Sequence, residues 1–207
     1  MCLIVHKQAE VPLLRALLDS AARFNPHGVG LIALVPGEPA VVRRRLASSP
    51  AELADWAEAL SPYECVMHFR YRTRGGVDED NVHPLQITDD LYLFHNGTLR
   101  VDLHTPERSD SWHLAQDFLA PTLSRRPELI DDPLFQRMLA VAAGPQNRLV
   151  LVDTRRSRTV VINRDAGWEH QGLWLSNRRW FDPKVLGRGP EVAPVLAAPA
   201  QRVAFFA

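Results

Sequence analysis

Stretches that read as β-strands crowd both ends of the 207-residue chain, and stretches that read as helices come in pairs between them. This segregation argues against alternating βαβ units, which place a helix after each strand, and points to an α+β architecture. Residues 2–6 (CLIVH) are short, apolar and β-branched, the pattern of a strand that starts almost at the terminus. Residues 11–24 carry Leu14, Leu17, Leu18, Ala21 and Ala22 at helical spacing, and Asn25-Pro26-His27-Gly28 ends that helix with turn chemistry. Two strands, 30–35 and 40–46, flank Pro36-Gly37. Ser49-Pro50-Ala51-Glu52 is a capping-box pattern with proline at the first helical position, opening a helix that runs to about residue 60.

The second half follows the same grammar. Residues 64–71 form a strand, and 91–95 and 98–102 flank Asn96-Gly97, a pair that favours a type I′ hairpin turn. Helices are expected at 110–123 and 132–142, a strand pair at 148–153 and 159–163, and a last strand at 172–176. From residue 187 onward three prolines and several alanines predict an extended or loosely packed tail.

Composition narrows the function classes. Hydrophobic residues at 46% and charged residues at 23% suit one globular domain with a sizeable core. Lys+Arg and Asp+Glu are equal at 24 each, so no overall field recruits nucleic acid or an anionic membrane. The basic clusters at 43–45, 155–158 and 178–179 read as solvated faces. No apolar run reaches the ~18 residues of a membrane span, and the N-terminus lacks the pattern of a secretory signal, so the cytoplasm is the expected location. Cys2 and Cys65 do not form a metal-binding spacing, and a reducing compartment would leave them unbridged. Cys65, within the apolar run Cys65-Val66-Met67, reads as an inert core thiol.

Cys2 differs because of its position. Methionine is generally removed before a small residue such as cysteine, which would leave Cys2 with a free α-amine of pKa about 8. A neutral amine beside a thiol can take its proton, so one residue supplies nucleophile and base. Many chains also begin Met-Cys without catalytic reason. Downstream, alternation along residues 68–72 places His68, Arg70 and Arg72 on one face, and an arginine where a strand gives way to a loop offers a planar fork to a carboxylate. The same segment also reads as an edge strand with solvated arginines. The Asn96 amide and the Gly97 N–H could both point at a developing oxyanion, or could simply turn a hairpin. Ser109-Asp110-Ser111 reads as a helix N-cap, or as a carboxylate able to hold an ammonium group.

In this order the segments MCLIV, NPHGVG, HFRYRTRGG with NVHP, LFHNGTL and SDS resemble the glutaminase domain of class II glutamine amidotransferases, in the N-terminal-nucleophile hydrolase superfamily. They span residues 2–115, and GLWLSN at 172–177 extends the similarity more weakly. The resemblance implies a four-layer α/β/β/α sandwich of two mainly antiparallel sheets over residues 2–180, followed by a tail at 181–207. It implies Cys2 as the nucleophile that attacks a glutamine side-chain amide. Arg70 would bind the substrate α-carboxylate, with Thr73 of the same motif beside the substrate and His83 of NVHP also on the substrate side. Asn96 and Gly97 would form the oxyanion hole, and Asp110 would hold the α-amino group. A γ-glutamyl thioester would release ammonia and then be hydrolysed to glutamate, which needs neither metal nor organic cofactor.

Two departures stand out. His27 occupies a position where related sequences commonly carry Asp. The segment 180–207 is also too short for the synthetase domain that normally consumes the ammonia. Three readings follow: a glutaminase serving a separate ammonia-accepting synthetase subunit, a hydrolase of a larger γ-glutamyl amide, or a non-catalytic binding protein that kept the fold.

Overall fold

A computed structural model describes residues 2–178. The tail expected at 181–207, and the domain limit at 180, lie outside the described residues.

The leading apolar run forms β1 (Leu3–Lys7), buried at every position. Then follow α1 (Arg15–Phe24), β2 (Val29–Leu34), β3 (Val41–Arg45), α2 (Pro50–Ala59) and β4 (Glu64–Phe69). These strands join β9 (Trp168–His170) and β10 (Leu173–Leu175) in a six-stranded sheet of order β3-β2-β4-β1-β10-β9. The second sheet, β5-β6-β7-β8, comprises β5 (Leu85–Gln86), β6 (Leu91–Asn96), β7 (Arg148–Asp153) and β8 (Arg158–Ile162). All the pairings are antiparallel.

Strand alternation builds the layers. In β1 and β4, Leu3, Val5, Cys65, Met67 and Phe69 face one way and pack against Leu17, Leu18 and Leu53 of α1 and α2. Their neighbours Ile4 and Val66 face the other sheet and meet Phe94, Val150 and Val152 between the two. On the far side, Leu91, Leu93, Leu149 and Leu151 pack under Leu114, Leu119 and Leu139. The result is the expected α/β/β/α sandwich. The far helical layer holds α3 (Asp110–His113), a π-helical turn at Leu114–Leu119, α4 (Ala120–Leu123) and α5 (Pro133–Ala143).

Local chemistry sets the helix starts. Ser49 and Glu52 close a full capping box on α2. Ser109 accepts the Trp112 N–H on α3, and Asp132 accepts the Phe135 N–H on α5. Lys7 is fully buried, and its ammonium donates to the carbonyls of Leu60, Ser61 and Tyr63 just past α2. Cys65 is a buried free thiol whose pKa burial pushes up to about 12, as an inert core position requires. Residues 43–45 lie exposed on edge strand β3, as solvated faces should.

Two expectations fail. Asn96-Gly97 does not turn a hairpin, because β6 pairs with β5 and β7 instead, with Asn96 opposite Arg148. The apolar run of β7 buries both faces, whereas 98–102 exposes Thr98, Arg100 and Asp102. Tertiary burial outweighs the local turn signal. Likewise β4 stops at Phe69, so Arg70 begins a loop rather than extending an edge strand, and β4 itself lies between β2 and β1.

Candidate active site

The site forms where the ends of β1, β4 and β6 meet the N-terminus of α3. Cys2 precedes β1 beside the chain leaving β4, where its sulfur accepts from the Tyr71 N–H at 3.3 Å. Arg70 follows the last residue of β4 and is 3% exposed. Gly97 follows the last residue of β6, and Asp110 opens α3. A narrow pocket gathers Cys2, Arg70, Thr73, His83, Gly97 and Asp110 from these separate segments, together with Tyr71, Arg74, Asn81, His95, Ser109 and Ser111. Its solvent space is about 20 Å³, enough for one water. Admitting a larger ligand therefore requires the bordering loops to move.

Those loops are tied to each other. Asn81 accepts from the Ser109 N–H at 2.7 Å and donates to Glu107 O at 2.8 Å and to Asp78. Gly76 N–H donates to Glu107 O at 2.8 Å. Gly75 has φ +72°, and a Cβ there would meet Ser109 N at 2.8 Å, so this close approach requires glycine. His27 Nδ1 accepts the Arg72 N–H at 2.9 Å, and so holds the chain just after Arg70.

The electrostatics centre on Arg70. Its Nη2 donates to Gly76 O at 2.7 Å and Arg74 O at 3.3 Å, while its Nη1 is buried without a hydrogen-bond partner. Burial lowers the Arg70 pKa, with Cys2 and Asp78 opposing the shift. For the Cys2 thiol, burial pushes the pKa up, and the Tyr71 backbone and the Arg70 charge oppose it. A thiol in this setting needs a base to become a thiolate.

Three buried histidines back the pocket. His68 Nε2 donates to His95 O at 3.1 Å, and its ring lies 4.1 Å from that of His83. His83 has no hydrogen-bond partner at either nitrogen, and His68 none at Nδ1. His95 is held at both nitrogens, by Ser111 Oγ at 2.7 Å and Asn147 Oδ1 at 2.8 Å. Because Asn147 Nδ2 donates to Ala143 O, its Oδ1 is the acceptor and His95 carries its proton on Nε2. Burial lowers the pKa of all three, His68 to about 3, with Arg70 and His95 adding to the shift at His68.

The remaining sequence-designated groups are also engaged. Asp110 accepts the Leu99 N–H at 2.6 Å and the Ser111 N–H at 3.0 Å. Asn96 stands behind the pocket rather than lining it: its Nδ2 donates to Ser176 Oγ at 2.7 Å, and its Oδ1 is buried without a partner. Ser176 Oγ also accepts the Ile4 N–H, which couples Asn96 to the strand that carries Cys2. Sequence reasoning did not give roles to His68, His95, Ser111 or Asn147. The first three sit inside the quoted motifs, but only the fold reveals that they contact one another.

No family model matches the sequence, and no curated protein matches it significantly. Among solved structures the chain is similar to a glutamine aminotransferase class-II domain protein from Silicibacter pomeroyi. That match has TM-score 0.40 and 15% identity, and covers 74% of this chain and 73% of that one. It is also similar to glutamine phosphoribosylpyrophosphate amidotransferase from B. subtilis, with TM-score 0.49 and 17% identity. Here the match covers 87% of this chain but only 42% of the amidotransferase. No helix among the described residues is long and apolar enough to cross a membrane.

Proposed function

We propose that the protein is an amidohydrolase in which Cys2, freed of Met1, attacks the side-chain amide of glutamine or of a related γ-glutamyl amide. The carrying observation is Arg70: a buried guanidinium with one unpartnered nitrogen, in the same pocket as a thiol, Gly97 and a buried carboxylate. A buried cation is costly without an anionic partner, and a substrate α-carboxylate supplies one. Asp110, with lone pairs beyond its two backbone bonds, suits the α-ammonium group.

The reaction follows from these groups. The neutral α-amine of Cys2 takes the thiol proton, and the thiolate adds to the amide carbon to give a tetrahedral oxyanion. Gly97 N–H is the donor proposed for that oxyanion, and the Asn96 amide would join it only by turning from Ser176 into the pocket. Collapse breaks the C–N bond, and the α-ammonium returns its proton to the departing nitrogen as ammonia. Water then adds to the thioester, the amine again accepting a proton, and glutamate leaves as the thiol is restored. The ammonia would pass to a separate synthetase subunit, or simply be released.

The purified protein should release ammonia from glutamine, and Cys2→Ala should abolish that release. No release from glutamine or from any bulkier γ-glutamyl amide would overturn the proposal. A strong preference for bulky amides would select the conjugate hydrolase.

A further inference from the structure

Away from the Cys2 pocket, His104, His113 and Asp117 bring three metal-ligating atoms within 4.8 Å of one another. His113 and Asp117 lie one turn apart on the helix that begins at Asp110, and Asp117 falls inside the π-helical turn. Such turns are frequent at functional sites, because they re-aim side chains that an α-helix would point elsewhere. His104 comes from the loop that runs from Gly97 to Ser109. One carboxylate oxygen, Asp117 Oδ2, meets His113 Nδ1 at 2.8 Å and His104 Nε2 at 2.9 Å.

The hydrogen-bond pattern at His113 is the telling feature. Its Nδ1 faces the Asp117 carboxylate at 2.8 Å and its Nε2 the Thr105 carbonyl at 3.3 Å, and both partners are acceptors only. A neutral imidazole cannot satisfy both, and the side chain is fully buried. A metal ion seated at Nδ1 resolves the conflict, as would a second ring proton. His104 faces the same carboxylate through Nε2, and its Nδ1 lies 3.1 Å from Thr105 Oγ1, a hydroxyl that can donate to it. Each imidazole thus has an outer partner on the nitrogen away from the carboxylate, the support that orients metal-bound histidines.

We infer that His104, His113 and Asp117 form a binding site for a divalent first-row transition ion such as Zn²⁺. Two imidazoles and one carboxylate suit such an ion better than Ca²⁺ or Mg²⁺, which prefer all-oxygen shells. With bonds of about 2.1 Å, tetrahedral ligand atoms stand about 3.4 Å apart, so the present contacts need open by only about half an ångström. His104 is 57% exposed on its loop and can make that adjustment. Water would complete the coordination on the solvent side. The ion would clip the 97–109 loop onto the helix, fixing a segment whose two ends, Gly97 and Ser109, border the Cys2 pocket. The site stands independently of the reaction proposed for Cys2.

Zn²⁺ titrated calorimetrically into untagged, chelator-treated Cys2→Ser protein tests this, the substitution removing the pocket thiol as a competing ligand. One equivalent should bind, with proton release. His104→Ala and Asp117→Asn should each weaken binding at least about tenfold while keeping the native circular dichroism. Co²⁺ should show visible absorption characteristic of nitrogen and oxygen ligands, lost in both variants. No binding of Zn²⁺ would overturn the site and leave His113 as a protonated partner of Asp117. Binding undiminished in both variants would overturn it as adventitious.

Discussion

Acidification between pH 7 and 5 should destabilise this protein through its buried histidines. His68 has a pKa of 6.5 when free and about 3 in the fold, chiefly because burial disfavours the imidazolium. Between those values the unfolded chain binds a proton that the native state refuses, so stability rises with pH there and falls on acidification. The contribution is fully present above pH 6.5 and is lost as pH drops toward 3. The slope is about 1.4 kcal/mol per pH unit, so reaching pH 5 costs about 2 kcal/mol from His68 alone. His83 and His95, lowered for the same first reason, act in the same direction. Against a typical total of 5–15 kcal/mol, roughly, this is a large loss. Urea unfolding followed by circular dichroism at half-unit pH steps measures it. His83→Phe, which keeps an aromatic ring against His68 and Phe94, removes one of these buried imidazoles and should make the slope shallower. A stability that stays flat from pH 7 to 5, or a slope unchanged in the variant, would refute the reasoning.

Two substitutions probe the site directly. Gly97 has φ +149°, and a Cβ there would stand 2.1 Å from Asn147 Oδ1, the acceptor of the His95 proton. Gly97→Ala should therefore lower stability by about 1–3 kcal/mol in a thermal or urea melt, and an unchanged midpoint would contradict the packing described. Arg70→Lys removes the planar fork while keeping the charge. It should raise KM for glutamine at least about tenfold with a smaller change in kcat, whereas a fall in kcat at constant KM would argue against carboxylate binding.

Much of the architecture is legible in the sequence because burial is written locally. Residues 2–6 read as a strand since every position is apolar or sheltered, and Ser49 through Glu52 announce their helix by capping chemistry alone. The layers follow once strand alternation is applied. The Asn96-Gly97 turn was misread because its signal is local while its competitor, β7, lies some fifty residues away in sequence. The strands β5 and β9, two and three residues long, carry too little pattern to detect. For the site, Cys2, Arg70, Thr73, His83, Gly97 and Asp110, which lie far apart along the chain, line one pocket. Asn96 is turned toward Ser176, an arrangement that depends on where β10 ends against β1 and so is invisible along the chain. The histidine cluster was hidden for the same reason, since His68, His83 and His95 belong to three motifs whose contacts only the fold creates.

Intact-mass spectrometry with a γ-chloroketone analogue of glutamine tests most directly whether Cys2 is a processed, activated nucleophile. The analogue offers Arg70 and Asp110 the same α-carboxylate and α-ammonium as glutamine, and places an electrophilic carbon at the thiol. The account predicts a chain lacking Met1 that gains one adduct, mapped to Cys2, with excess glutamine slowing the labelling. Chains that retain Met1 should stay unlabelled, as should Cys2→Ala. Labelling of Cys65 instead, or equal labelling of chains with and without Met1, would contradict it.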